Sequence, residues 1–259
     1  MASEKKDALA KTEETALTVP EFVKTGKASG TEHMTQEDFQ VPRLLIAHAQ
    51  SPQVTKGDPA KIEGLEVGQA FNDLTSEILG EDPIDVIFVR ADPPRWVEFD
   101  PDDRKVVLDR NVPHGDPRTL WTTNKDGEAV KPAATKFYDY VVLTLPDLEP
   151  MALSYKSTGL NIARKLNGVL RSRYKTPGTA GPGVSIPIFA RRFRLVPSQF
   201  KNDQGAWYLF VVQSAGIVQD AETYGIAEQA FDAVKLKTIN FAREPGTDDA
   251  EGGSTEEEM

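Results

Sequence analysis

The residues best suited to chemistry lie in one run, Phe189-Ala190-Arg191-Arg192-Phe193-Arg194, where rings and guanidiniums interleave. Arginine neutralises phosphate, and an aromatic face stacks on an unpaired base of any identity. Side chains alternate along a strand, so Phe189, Arg191 and Phe193 would point one way and Arg192 and Arg194 the other. Trp207, Tyr208 and Phe210 fall on the strand expected to pair with this run. Any one ring taken alone reads as core. The cluster taken together reads as a nucleic-acid surface. A second set of cations precedes it: Lys156, Arg164, Lys165, Arg171, Arg173 and Lys175. Arg164 and Arg171 are seven positions apart, and Lys175 is four further on, so all three share a face if the helix reaches that far. An ordinary solvated helix face mixes Glu with Lys; this one has no acid.

The overall charge argues the other way at first sight. The chain of 259 residues has 30 basic and 40 acidic side chains and a net charge of −10, whereas nucleic-acid binders are usually basic. The charge is unevenly spread. Residues 151–212 hold ten basic side chains and one acidic, Asp203, between acidic flanks. A basic island of this kind is an argument about partners. From Glu244 to Met259 there are seven acidic residues and no basic one. That stretch lacks the apolar surface to offset its ordering entropy, so it is expected to be a disordered acidic tail.

Catalytic signatures are lacking. There is no cysteine, which excludes a thiol nucleophile, a disulfide scaffold, thiolate zinc and iron–sulfur clusters. No phosphate-loop, nucleophile-elbow or zinc-protease motif occurs. His33, His48 and His114 have no paired ligand spacing. Asp100, Asp102 and Asp103 could support a Mg²⁺-dependent nuclease, but their proline-bearing stretch reads as a solvated turn. The expectation is a non-enzyme with no cofactor. No apolar run is long enough to span a membrane.

The elements that must position these residues are mostly strands. The run 41–47 reads as a strand or a short helix; the segments expected to be extended are 67–74, 84–90, 95–99, 137–145, 151–156, 184–196 (interrupted by Pro187) and 206–213, with a hairpin turn at Asn202–Gly205. One helix stands among them, capped by Ser157 or Thr158 and ending near Arg173. Its apolar stripe is Leu160, Ala163, Leu166, Val169 and Leu170. Residues 226–239 suggest a short second helix. Strands, one main helix, then two strands is the order of an OB-like Greek-key barrel, so the fold class is mainly β (α+β). The organisation expected is a flexible N-terminal arm (1–38), one β-rich domain (39–243) and the acidic tail (244–259).

A β-rich core with a basic aromatic groove and an acidic tail, Asp248-Asp249-Ala250-Glu251 through Glu256-Glu257-Glu258-Met259, resembles phage-encoded single-stranded DNA-binding proteins. Phe39-Gln40-Val41-Pro42-Arg43-Leu44, Ser51-Pro52-Gln53-Val54 and Gly205-Ala206-Trp207-Tyr208 are similar to segments of phage proteins of this kind. The resemblance implies binding of single-stranded DNA, without sequence specificity, in replication, recombination or repair in the host cytoplasm. It also implies recruitment of replication or recombination proteins through the tail. Many such tails end in an aromatic residue; this one ends in Met259, which favours self-masking over docking. The competing expectation is a virion or assembly-associated interaction protein. An oligomer is compatible with the sequence.

Overall fold

The structure is a computed structural model. It describes residues 41–103, 106–175, 178, 182–203 and 205–234. The expected N-terminal arm (1–38) and acidic tail (244–259) lie outside the described residues, as do 235–243 of the expected domain.

The described chain is mainly β. The strands are β1 (Leu44–Ile46), β2 (Ala70–Asn72), β3 (Ile78–Gly80), β4 (Ile84–Ala91), β5 (Arg95–Phe99), β6 (Val107–Asp109), β7 (Thr122–Thr123), β8 (Ala129–Val130), β9 (Ala134–Thr144), β10 (Glu149–Lys156), β11 (Arg191–Asn202) and β12 (Gly205–Ile217). A central helix (Leu160–Arg171) joins β10 to β11, and a final helix (Ala221–Val234) follows β12.

The long strand β9 organises the main sheet. β10 lies along one edge, in register from Thr144–Glu149 to Phe137–Lys156. Along the other edge β4 pairs with Tyr140–Thr144 and β5 with Ala134–Phe137. β4 and β5 therefore act as one long strand broken at Asp92-Pro93-Pro94, where the prolines remove ladder donors and force a bend. β4 also pairs with β11, β11 with β12, and β5 with β6, all antiparallel. β1, β2 and β3 form a small separate sheet, and β7 and β8 a two-residue hairpin.

Both faces of the sheet are covered. On one face Val86, Phe88, Tyr140, Val142, Leu153, Phe193 and Leu195 meet Ala163, Leu166 and Leu170 of the central helix. On the other, Ile87, Val89, Val141 and Leu143 meet the final helix through Ala227, Tyr224 and Phe231. Burying each large apolar side chain contributes about 1.5–3 kcal/mol. Two-sided burial explains the near-continuous apolar runs Val86–Val89 and Tyr140–Leu143, which a one-sided sheet would not carry.

The ladders do not close into a barrel among the described residues. The gap between the outer strands is crossed by a side chain: the buried Tyr155 of β10 donates its hydroxyl to the Phe210 carbonyl of β12 at 2.9 Å. Burial pushes that phenol well above its usual pKa range. Arg43 forms a parallel bridge to Ala152 beside β1 and a buried ion pair with Asp73 at 2.7 Å. No helix among the described residues is long and apolar enough to cross a membrane.

Three local expectations are corrected. Ser157 and Thr158 do not cap the central helix; they form a 3-10 turn, and Gly159 takes the N-cap position. Val169 is exposed rather than part of the buried stripe. The stretch from Val184 to Ala190 is not strand: it makes one bridge, Val184 to Tyr174, and a 3-10 turn over Ile188–Ala190. The strand starts at Arg191 and continues through Pro197. Pro197 lies past Leu195, the last residue paired to β4, so its missing N–H falls where the ribbon edge is free of that neighbour.

Candidate nucleic-acid interface

The central helix buries Ala163, Leu166 and Leu170, and Tyr140 fixes it by donating its hydroxyl to Asn167 Oδ1 at 2.9 Å. That orientation leaves Arg164, Lys165 and Arg171 on the exposed side, with Arg173 and Lys175 exposed just beyond. Arg164 makes one side-chain bond, to Asn161 Oδ1 at 3.2 Å. Among the described residues no carboxylate pairs with any of these five cations. Lys156 is half-buried at the end of β10, in register with Phe137.

The Phe189–Arg194 run divides. Phe189 is buried against Tyr224 and Phe231, with centroids 5.4 and 5.2 Å away. Phe193 is 1% exposed and edge-on to Phe88 at 5.1 Å. Arg191 is also buried: Nη1 donates to the Val169 carbonyl at 2.5 Å, and Nη2 donates to the Ser172 carbonyl. Helix ends leave carbonyls without intrahelical partners, and a cation there is favoured by both hydrogen bonding and the helix dipole. Burial leaves none of these three side chains a surface to offer a base or phosphate. The expected common side fails for Phe189, which sits in the 3-10 turn ahead of the strand and packs on the final-helix face, opposite Phe193. Arg191 and Phe193 do share a side, and alternation does not say what covers it.

Arg192 and Arg194 point to the side opposite Arg191 and Phe193 and keep 37% and 48% of their side-chain surface. Both engage Asp85 on β4, directly across from Arg194 in the ladder. Arg194 Nε donates to Oδ1 at 2.7 Å and its Nη2 to Oδ2 at 3.2 Å; Arg192 Nη2 donates to Oδ2 at 2.9 Å. The Arg194 guanidinium holds the Asp85 carboxyl below the usual carboxylate range, against a smaller opposing effect of burial.

Beyond β4, β11 and β12 continue as a two-stranded ribbon. Asn202 Oδ1 accepts the Gly205 N–H at 3.1 Å and sets its turn. This register places Phe200 opposite Trp207, and the two rings stack with centroids 6.2 Å apart and planes at 17°. By alternation Phe200 shares the outer side with Arg194 and Arg192, about 20 Å along the strand at the usual rise per residue. Trp207, Leu209 and Val211 line that side on β12. Tyr208 faces the other way. Its ring lies edge-on to His48, its hydroxyl accepts from Gln199 Nε2 at 3.0 Å, and Gly68 passes beneath it. A Cβ on Gly68 would sit 2.9 Å from the Tyr208 ring, and its φ of +97° also requires glycine. Tyr208 is therefore held as a strut for the ribbon. Phe200 was missed in the sequence, although the turn at Asn202–Gly205 already implied its pairing with Trp207.

A third aromatic feature was also missed: the Lys136 ammonium lies 5.5 Å from the Trp96 ring centroid and 5.0 Å from that of Tyr138. The acidic stretch is accounted for by its own turn, in which Asp100 Oδ1 accepts the N–H groups of Asp102 and Asp103 at 2.8 and 3.2 Å. Among the described residues no group of three or more His, Asp or Glu side chains is arranged to hold a metal.

A family model described as Pam3 phage gp34-like protein matches residues 11–240. The chain belongs to this family. Neither a curated protein nor a solved structure matches it. The gp34-like match places the chain among phage proteins and takes in every candidate interface residue. The acidic tail, 244–259, lies beyond the matched part of this gp34-like protein.

Proposed function

We propose that this gp34-like protein binds single-stranded DNA without sequence preference, as a non-catalytic component of phage DNA replication, recombination or repair in the host cytoplasm. The observation that carries the reading is the run of exposed cations from Arg164 to Lys175, which no carboxylate opposes among the described residues. Neutralised side chains on a solvated surface would show alternating sign; an unopposed set is suited to a polyanion. The stacked Phe200 and Trp207, on the same ribbon side as Arg192 and Arg194, favour single strands, because unpaired bases stack on aromatic rings. The Tyr155 link between β10 and β12 supports reading the sheet as an OB-like barrel, a fold whose strands and loops commonly hold oligonucleotides. The acidic tail would act on the same cations as an internal competitor or would recruit replication or recombination proteins.

Fluorescence polarisation with labelled oligo-dT and a matching duplex, over a salt series, tests this. The expected result is preference for the single strand, with log affinity falling linearly in log salt. No binding to oligo-dT at low salt would overturn the reading.

A second reading, an assembly-associated interaction protein, draws on Trp121, which is 65% exposed beside the exposed Leu120. Aromatic residues of this kind are enriched at protein interfaces. Co-purification of phage structural proteins, lost in Trp121→Ser and with oligo-dT binding absent, would favour it.

A further inference from the structure

We infer that Asp85 is an internal competitor for phosphate, holding the place on Arg192 and Arg194 that a DNA backbone phosphate takes when the strand is bound. The inference rests on the single-strand reading above and names how this part of the interface is tuned. Three features of the fork carry it. First, the geometry is that of anion recognition: Arg194 grips both Asp85 oxygens through Nε and Nη2, the paired-donor arrangement by which arginine binds carboxylate and phosphate alike. Second, Arg192 donates to one of the same oxygens, so two guanidiniums converge on a single anion and keep one net positive charge. Third, the fork is open to solvent on its arginine side, while Asp85, at 20% exposure, is anchored on β4. An incoming phosphate therefore meets the arginines without crossing the core. The lowered pKa of Asp85 keeps the competitor charged throughout the neutral range.

A structural ion pair and a phosphate competitor predict opposite signs. If Asp85 merely braced the ribbon, removing its charge would loosen the arginines and weaken binding. If it competes, Asp85→Asn should tighten oligo-dT binding at low salt by about five-fold, the effect of one unit charge a few ångströms from a phosphate in water. The log–log salt slope should steepen by about 0.7, one additional phosphate on a single strand. Arg194→Gln should move both quantities the other way. The double variant Asp85→Asn/Arg194→Gln restores the wild-type charge of the fork, so its slope should return to the wild-type value. Thermal unfolding of each variant confirms that the fold is retained.

Tighter and steeper binding in Asp85→Asn, with the slope restored in the double variant, supports the inference. Unchanged or weaker binding in a folded Asp85→Asn, with wild-type binding intact, overturns it and leaves the single-strand reading standing. If Asp85→Asn does not fold, the inference stands or falls on Arg194→Gln: a slope that does not become shallower overturns it. Failure of the wild-type protein to bind oligo-dT removes the single-strand reading and the inference together.

Discussion

The cations from Arg164 to Lys175 and those from Arg191 to Arg194 are similar in type and density, yet the fold uses them differently. On the central helix the apolar stripe takes the buried side, so every cation is turned outward. On β11 both sides of the strand are in demand. The inner side faces Phe88 and the central helix, and Arg191 is drawn in to meet the helix carbonyls at Val169 and Ser172. The outer side keeps Arg192 and Arg194, but with a carboxylate already between them. Arg90 repeats the inward use: its Nη1 donates to the Val234 carbonyl, on the last described residue of the final helix, at 2.5 Å. Basic residues in one island thus divide into those that hold the fold and those left for a ligand. The deciding factor is what lies opposite each side chain, and not its charge.

Two substitutions on the inner side should break the fold before they touch any ligand. Phe193→Ala removes a ring buried against Phe88 and should cost about 3–5 kcal/mol of stability. Urea unfolding would read this as a lower midpoint with an unchanged slope. Arg191→Met keeps most of the volume but leaves the Val169 and Ser172 carbonyls without their donor. The expected loss is about 3 kcal/mol, since hydrogen bonds from a charged donor are strong and buried acceptors are costly to leave bare. A loss under about 0.5 kcal/mol, within the range of ordinary surface substitutions, would place Arg191 with the outward cations after all.

The longer strands were largely legible in the sequence because local chemistry marks them, whereas the short strands β3, β6, β7 and β8 were not. Pro83 and Asp92-Pro93-Pro94 bracket β4, β5 matches its expected bounds, and Pro146 separates β9 from β10. The hairpin at Asn202–Gly205 and the buried stripe Ala163, Leu166 and Leu170 follow from turn chemistry and helical period. Partner choice was not legible. Nothing local tells that β4 and β5 share one edge of β9, or that Tyr155 spans to β12, since both depend on residues far apart in the chain. The candidate site suffered from the same limit. Alternation separated Phe193 from Arg194 correctly but could not show that a helix end waits beside Arg191. Asp85 was invisible as a site residue because its role arises only in the pairing of β4 with β11.

On the outer side the effects should move from stability to binding. Trp207→Ala removes one partner of the stacked pair and should weaken oligo-dT binding by about 1–3 kcal/mol, the usual worth of one base stacked on a ring. Fluorescence polarisation at fixed salt measures it. A change in unfolding midpoint with no change in affinity would assign the Phe200–Trp207 pair to the ribbon's own packing instead.

The helix cations should give the smallest change in stability and the clearest change in salt dependence. Arg171→Gln/Arg173→Gln/Lys175→Gln alters three exposed side chains that no described carboxylate opposes, so each should shift stability by no more than about 0.5 kcal/mol. If each cation neutralises a phosphate, the log–log salt slope for oligo-dT should become shallower by about 2, at about 0.7 per contact on a single strand. Circular dichroism melting and polarisation on the same samples separate the two quantities. An unaltered slope with wild-type stability would remove these three cations from the interface and leave Arg164, Lys165 and the β11–β12 ribbon to form it. A large loss of stability would show that the helix end depends on its own cations as it does on Arg191, and the two regions would then differ only in exposure.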